Sequence, residues 1–250
     1  KTYFGEDCNS YSVRTFRDAM EAIEEGAADY AVLPIENSTA GAVNEVYDLL
    51  VEFENYIVGE VIIPITHTLA GLPGTQLSEL KRVYSKAEAL MQTIRFLEEH
   101  SDWQQISVAN TAIAAKKILD DQDRTQAAVC SAYAAKVYGL EVLEDNINDE
   151  SGNCTRFIIV TNQKVFLKGA KKISICFEVP HESGSLYHLL SHFIYNDLNM
   201  SKIESRPIEG RSWEYRFFVD FEGNLEEPGV KNALRGLREE SRSLKILGNY

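Results

Sequence analysis

A hydroxyl and a guanidinium stand side by side at Thr155-Arg156. In Ser151-Gly152-Asn153-Cys154-Thr155-Arg156-Phe157 the two side chains stand at the entry to an apolar run, Ile158-Ile159-Val160. Arg156 carries a fork of donors suited to a carboxylate, and Thr155 adds a hydrogen bond beside it. Alone, such a dipeptide is more often an ordinary strand edge than a site. Further candidates stand where short apolar runs give way to helical periodicity. Glu36-Asn37-Ser38-Thr39 follows Tyr30–Ile35, Ser85 follows Arg82–Tyr84, Asn110-Thr111 follows Ile106–Val108, and Ser131 follows Ala127–Cys130. Ser, Thr and Asn are common helix N-caps, and Ser85 is placed to cap a helix over Ala87–Leu97. Repeated at successive strand ends, the same pattern suits an open α/β cleft in which helix N-termini offer N–H groups to a carboxylate or phosphate.

Other motifs point away from common chemistries. His188 and His192 have the i, i+4 spacing of a two-histidine metal face, but no HExxH pattern or paired cysteines accompany them, and a solvated helix face is expected instead of a metal site. GxGxxG, GxxxxGK[ST] and GxSxG patterns are absent, which removes the usual dinucleotide, P-loop and serine-elbow readings.

The elements that must position these residues read as α/β from about Ala28 to Val160, where short strands alternate with helices. A lysine-rich stretch beside Gly169 marks a linker over 166–172. Beyond it, 173–250 reads as strand, helix, strand, strand, helix, strand, the order of a ferredoxin-like domain. The 250 residues are 44% hydrophobic, enough for a packed core. With 25 basic against 38 acidic side chains, a net charge of -13 and a pI near 4.9, no nucleic-acid partner is expected. No run approaches the ~20 apolar residues of a membrane helix. Cys8, Cys130, Cys154 and Cys176 are scattered without a CxxC pair and read as reduced thiols of a cytoplasmic protein. No signal segment is expected from the opening residues.

Taken together, Ala28-Asp29-Tyr30-Ala31-Val32-Leu33-Pro34-Ile35-Glu36-Asn37-Ser38 with Gly41, and Asn153-Cys154-Thr155-Arg156-Phe157, resemble the two signature regions of prephenate dehydratases. Gly184-Ser185-Leu186 and Glu204-Ser205-Arg206-Pro207 are similar to the phenylalanine-binding motifs of that family's C-terminal ACT domain. The resemblance implies a two-lobed, periplasmic-binding-protein-like catalytic domain over 1–165 with its site in the cleft, lobe one being 1–66 plus 143–165 and lobe two 67–142. A ferredoxin-like (βαββαβ) ACT domain over 173–250 follows. It implies conversion of prephenate to phenylpyruvate, water and carbon dioxide without a cofactor, feedback inhibition by L-phenylalanine, and a homodimer or homotetramer. The family also occurs fused behind a chorismate mutase domain, and it begins with a strand and a glycine-rich loop after which this chain is expected to start. Lys86-Ala87 and Asn110 stand where the family more often has His-Pro and serine.

Carried over by position, the implied catalytic residues are Thr155, Glu36, Asn37, Ser85 and Gln92, and the implied substrate-binding residues are Arg156, Phe157, Ser38 and Thr111. Effector binding falls to Gly184, Ser185, Leu186, Asn199, Glu204, Ser205, Arg206 and Pro207. In the expected mechanism Arg156 anchors the pyruvyl carboxylate, and the ring carboxylate sits in a drier region near Phe157. Thr155, Ser85 or Asn37 donates to the departing hydroxyl, and Glu36 is the nearby titratable group, read equally well as a proton source or as a structural carboxylate. Two alternatives stay open: an arogenate dehydratase, whose substrate carries an ammonium where prephenate has a keto group, and a non-catalytic amino-acid sensor.

Overall fold

A computed structural model describes residues 2–5 and 7–250. In chain order the elements are α1 (Phe16–Glu24), β1 (Ala31–Asn37), β2 (Gly41–Ala42), α2 (Asn44–Glu52), β3 (Tyr56–Pro64), β4 (Thr68–Gly71) and β5 (Arg82–Ser85). There follow α3 (Ala87–Met91), α4 (Ile94–Glu98), β6 (Gln104–Ser107), α5 (Thr111–Asp121), β7 (Gln126–Cys130), α6 (Ala132–Val137), β8 (Glu141–Glu144) and β9 (Cys154–Thr161). The last third holds β10 (Lys172–Glu178), α7 (Ser185–Ile194), β11 (Met200–Pro207), β12 (Tyr215–Glu222), α8 (Pro228–Glu240) and β13 (Ser243–Asn249). The chain divides into two compact units, Lys1–Ile63 with Thr155–Tyr250, and Pro64–Cys154.

The first unit is built on an eight-stranded sheet in the order β11-β12-β10-β13-β3-β9-β1-β2. Its C-terminal region has the expected strand-helix-strand-strand-helix-strand order. Alternation along each strand leaves an apolar surface on both faces of the sheet here. Ile173, Ile175, Phe177, Val219 and Phe221 pack with Leu189 and Phe193 of α7 and Val230, Leu234 and Leu237 of α8. On the other face Cys176, Phe218 and Leu247 join a core with Leu33, Ile35, Ile158 and Val160, closed by Val46, Tyr47 and Leu50 of α2. Lys245 on β13 donates to the carbonyls of Leu50 and Phe53 at 3.1 and 2.9 Å, so a cation closes the C-terminal end of α2. Burial pushes its pKa down.

β13 joins β3 as a parallel neighbour at Gly248, opposite Ile57. A Cβ on Gly248 would lie 2.2 Å from the Ile57 carbonyl oxygen, so only glycine allows the two backbones to approach this closely. Gly248→Ala is expected to force the strands apart and to destabilise the chain by about 1–3 kcal/mol, the usual cost of overpacking. A thermal melt that matched the parent would contradict this account of the seam.

The second unit holds the sheet β6-β5-β7-β4-β8, in which β5 runs parallel to β6 and β7 while β4 runs antiparallel to β7 and β8. Two expectations shift here. Residues 143–154, assigned to the first lobe on the sequence, fall in the second unit because β8 pairs with β4 and the Ile65 N–H donates to the Asn153 carbonyl. The single helix expected over Ala87–Leu97 is two short helices. Thr93 Oγ1 bonds back to the Ala89 carbonyl at 3.0 Å, and the Asp149 carboxylate accepts the N–H groups of Ile94 and Arg95 at 3.0 Å each, which starts a new helix there. Among the described residues no helix is long and apolar enough to cross a membrane. Cys8, Cys130 and Cys176 are free thiols. Burial pushes Cys130 up to about 11 and Cys176 up to about 12, which keeps both protonated and inert at neutral pH.

Candidate functional site

In the first unit the two signature segments are antiparallel neighbours, β1 beside β9. Up to Pro34, opposite Phe157, the pairing is regular, with Ala31 and Leu33 turned to the core opposite Val160 and Ile158. The register then shifts between Pro34 and Glu36. Proline has no N–H for the ladder, and the extra residue makes a bulge that reverses which residues face which side. Glu36 therefore lies opposite Arg156 and Asn37 opposite Thr155. Neighbouring residues on a strand point to opposite faces. The four side chains sort into Glu36 with Arg156 on the core face and Asn37 with Thr155 on the other, the face that Phe157 shares.

Asn37 and Thr155 are tightly oriented. The Asn37 Oδ1 accepts the N–H groups of Thr39 and Ala40 at 3.0 and 2.9 Å, an Asx turn leading to Gly41, whose φ of 82° suits glycine. With the oxygen so fixed, the amide nitrogen must point the other way, and it donates to Thr155 Oγ1 at 3.0 Å. Thr155 accepts that bond, so its own proton is directed away from Asn37. Ser38 is exposed at the start of the turn.

Glu36 and Arg156 have other partners. Arg156 donates to Asp220 Oδ2 at 2.6 Å and to Glu60 Oε2 at 3.3 Å, and its Nε lies 3.6 Å from Glu36. Glu36 accepts from Lys202 Nζ at 2.7 Å. Ser174 Oγ donates to Asp220 Oδ1 at 2.6 Å and meets the Tyr250 hydroxyl at 2.9 Å. Burial works against the charge of Arg156, but the charge and hydrogen bond of Asp220 outweigh it and hold the pKa above its ordinary value. Burial, with Asp220 adding to it, pushes the Tyr250 phenol up. The expectation that Arg156 faces a substrate carboxylate beside Thr155 is therefore corrected, and Glu36, read either as a proton source or as a structural carboxylate, is held by Lys202. Both side chains lie across the strand from Thr155 and are engaged by charged partners. Lys202 stands 166 positions beyond Glu36 and Asp220 64 positions beyond Arg156, separations invisible to local pattern.

The second unit carries its own polar groups. Ser85 is fully buried and donates to the Val129 carbonyl at 2.6 Å, so the hydroxyl expected to cap a helix or to donate to substrate is spent inside the sheet. Lys86 is the residue at the start of α3, and its side chain makes no capping bond. Asn110 and Ser131 do cap, accepting the N–H groups of Ile113 and Ala134 at 2.8 and 3.1 Å, and Thr111 is the first residue of α5. Gln92 Oε1 lies 2.9 Å from His67 Nε2. His67 is buried, and its N–H donates to Asn148 Oδ1 at 2.6 Å, while the Gln92 carbonyl accepts the Asp149 N–H at 2.8 Å. The contact joins the His67 ring to the Gln92 amide and fixes the Gln92 rotamer. Sequence reasoning missed His67; its only signal is a histidine beside the entry to an apolar strand. His67→Ala is expected to unlock the Gln92 rotamer and lower kcat about 10-fold. The His67→Ala/Gln92→Ala double variant should be no slower than Gln92→Ala alone, and additive losses would disprove the coupling.

In the C-terminal region, Gly184, Ser185 and Leu186 line a cavity of about 260 Å³ together with Trp213, Tyr215 and Phe217. The other expected effector residues lie elsewhere. Glu204 and Arg206 share the face of β11 that carries Lys202; Glu204 lies 3.6 Å from Lys202, and Arg206 grips Asp48 of α2 with two bonds of 3.0 and 2.6 Å. Ser205 and Pro207 are exposed on the opposite face, and Asn199 donates to Glu222 at 3.0 Å.

Comparison with known proteins places the chain in a family. The profile of the prephenate dehydratase family matches residues 1–165. The chain belongs to that family. It is 39% identical over 250 residues to a bifunctional chorismate mutase/prephenate dehydratase of Aquifex aeolicus, covering 99% of this chain and 68% of the relative. An arogenate dehydratase/prephenate dehydratase of Arabidopsis thaliana is 36% identical over 261 residues, with coverage of 98% and 63%. The chain thus spans about two thirds of the length of these curated relatives. Among solved structures, the prephenate dehydratase of Arthrobacter aurescens in complex with L-Phe superposes with a TM-score of 0.85 at 33% identity, covering 94% of this chain and 79% of that one. A protein described as a novel type of quorum quenching acylase, GqqA, superposes with a TM-score of 0.87 at 32% identity, covering 94% and 86%. Family and fold make the chain a lyase of aromatic amino-acid biosynthesis.

Proposed function

We propose that this chain removes water and carbon dioxide from prephenate to give phenylpyruvate, and that L-phenylalanine regulates it through the C-terminal βαββαβ region acting as an ACT domain. The observation that carries the chemistry is the Asn37–Thr155 hydrogen bond of 3.0 Å. A threonine hydroxyl is too weak an acid to transfer its proton outright. Pre-aimed by Asn37, it donates to the departing ring hydroxyl as negative charge develops there, at no cost of reorganisation during the step. Phe157 supplies an apolar neighbour on the same face, in which a ring carboxylate is poorly solvated and loses carbon dioxide more readily. Ser38, exposed on the same turn, is a further donor for the substrate's oxygens. Cation support for a carboxylate is not assigned to Arg156, which Asp220 and Glu60 already neutralise.

Effector binding is supported by the cavity beside Gly184–Leu186, whose aromatic lining of Trp213, Tyr215 and Phe217 suits a benzyl side chain. A homodimer or homotetramer and a cytoplasmic site of action belong to the same reading. The test is turnover of prephenate to phenylpyruvate by the purified chain, with arogenate in parallel and L-phenylalanine titrated into both. Prephenate turnover suppressed by phenylalanine is expected. Faster turnover of arogenate would move the assignment to that substrate, and turnover of neither would favour an amino-acid sensor. Exposed Trp213 provides a binding readout, since its emission should change with L-phenylalanine and that change should vanish in Trp213→Phe.

A further inference from the structure

Two cross-strand pairs of opposite polarity meet inside the first unit. On β1 and β9 Glu36 stands opposite Arg156, and on β11 and β12 Lys202 stands opposite Asp220. Lys202 bonds Glu36 at 2.7 Å and Asp220 bonds Arg156 at 2.6 Å, so one rung of each sheet region is tied to one rung of the other by both its members. Side-chain exposure runs from 12% at Asp220 to 34% at Glu36, a largely desolvated setting. Adhesion between these surfaces does not require charge. Phe218, Cys176 and Leu247 already pack on the core that includes Tyr47 and Leu50, and apolar residues in place of a buried ion pair are often as stable or more so. What directional pairs add is a fixed orientation.

The next rung of β1 and β9 is Asn37 with Thr155. We propose that Lys202 and Asp220 are positioning residues for the Asn37–Thr155 pair: by holding Glu36 and Arg156 they set the twist of the two strands one residue away from the hydroxyl. The inference rests on the reading of Thr155 as the group that touches the departing hydroxyl. Two features make the contact adjustable. Glu36 has two cations in reach but bonds only Lys202, while the buried Arg156 Nε, 3.6 Å away, has no hydrogen-bond partner among the described residues. A small movement of β11 would exchange one for the other. β12 also carries Tyr215 and Phe217 on the wall of the aromatic cavity and Asp220 three residues beyond Phe217, so a single strand touches both the cavity and the arginine. An occupant that shifts β12 changes the hold on Arg156, and the coupling free energy then works in both directions.

The test compares Lys202→Met, Lys202→Arg and Asp220→Asn in the full chain, with kcat and KM for prephenate, half-inhibition by L-phenylalanine and thermal melting measured on each. For Lys202→Met we expect kcat to fall about 10-fold with KM within about 2-fold of the parent, and the half-inhibitory concentration to move by about 5-fold or more. Lys202→Arg should restore most of both. Melting temperatures that fall while kcat and half-inhibition stay at parent values would reduce the contact to structural glue and overturn the proposal, as would parent values throughout. Thr155→Ala separates the two levels: if it is inactive while the Lys202 and Asp220 variants behave as the parent, only the positioning role falls. If Thr155→Ala turns over prephenate normally, the catalytic reading falls and takes this one with it.

Discussion

Thr155→Ala should lower kcat for prephenate by about 100- to 1000-fold while leaving KM within a few-fold, the size of effect seen when one donor is removed from a site that stabilises developing negative charge. The split follows from the geometry. Thr155 Oγ1 is held by the Asn37 amide, whose own oxygen is locked by Thr39 and Ala40, so the hydroxyl is oriented before substrate arrives. Ground-state binding gains little from one neutral hydroxyl, whereas a departing hydroxide gains a great deal. Thr155→Ser, which keeps the oxygen and loses only the rotameric stiffness of a β-branched side chain, should recover most of the rate. Asn37→Ala should fall between the two, because the threonine remains but is free to turn. Equal turnover by Thr155→Ala and the parent would remove the hydroxyl from the chemistry.

Asp220→Ala carries the largest expected effect on stability, about 3 kcal/mol. Breaking a buried pair by deleting one partner usually costs ~3–5 kcal/mol, because the remaining charge is stranded away from water. The lower end applies because Arg156 keeps Glu60 at 3.3 Å and Glu36 at 3.6 Å. Ser174 also loses its acceptor at 2.6 Å. For a chain of this size the loss corresponds to roughly 6–12 °C in melting temperature. Replacing Arg156 by methionine in the Asp220→Ala background removes the stranded charge, so the double variant should melt above the single one. If it melts lower, packing of the aspartate rather than the orphaned guanidinium sets the cost.

Much of the architecture was legible because it rests on local pattern. The alternation of β-branched runs with helical periods, and the spacing of turns after Lys172, required no knowledge of distant partners. Asn110 and Ser131 were legible for the same reason, since a cap bonds within its own first turn. Ser85 looked identical in sequence and behaves differently, because a carbonyl on the adjacent strand β7 competes for its proton. The break at Thr93 depends on Asp149, more than fifty positions away. At the candidate site the residue types were readable and their directions were not. One bulge at Pro34–Glu36 decides that Glu36 shares a face with Arg156 and that Asn37 shares one with Thr155. A single-residue slip of this kind leaves no trace in composition, yet it separates the groups that touch the chemistry from those that hold them.

The seam at Gly248 bears on how the polypeptide can be cut and handled. β13 meets β3 at one pair, Gly248 opposite Ile57, and the sequence of β3, Tyr56-Ile57-Val58-Gly59-Glu60-Val61-Ile62-Ile63, is apolar and β-branched with a single charge. Expressed without residues 173–250, the remaining chain would lose that pair and uncover the apolar core on which Cys176, Phe218 and Leu247 pack, leaving β3 as an edge beside exposed apolar surface, a template for pairing with other molecules. Such a truncation is expected to precipitate or form strand-swapped oligomers instead of yielding an unregulated monomer. Loss of activity in it would then report self-association, and Ile62→Lys, at an exposed position of the strand, is the change most suited to keeping it in solution.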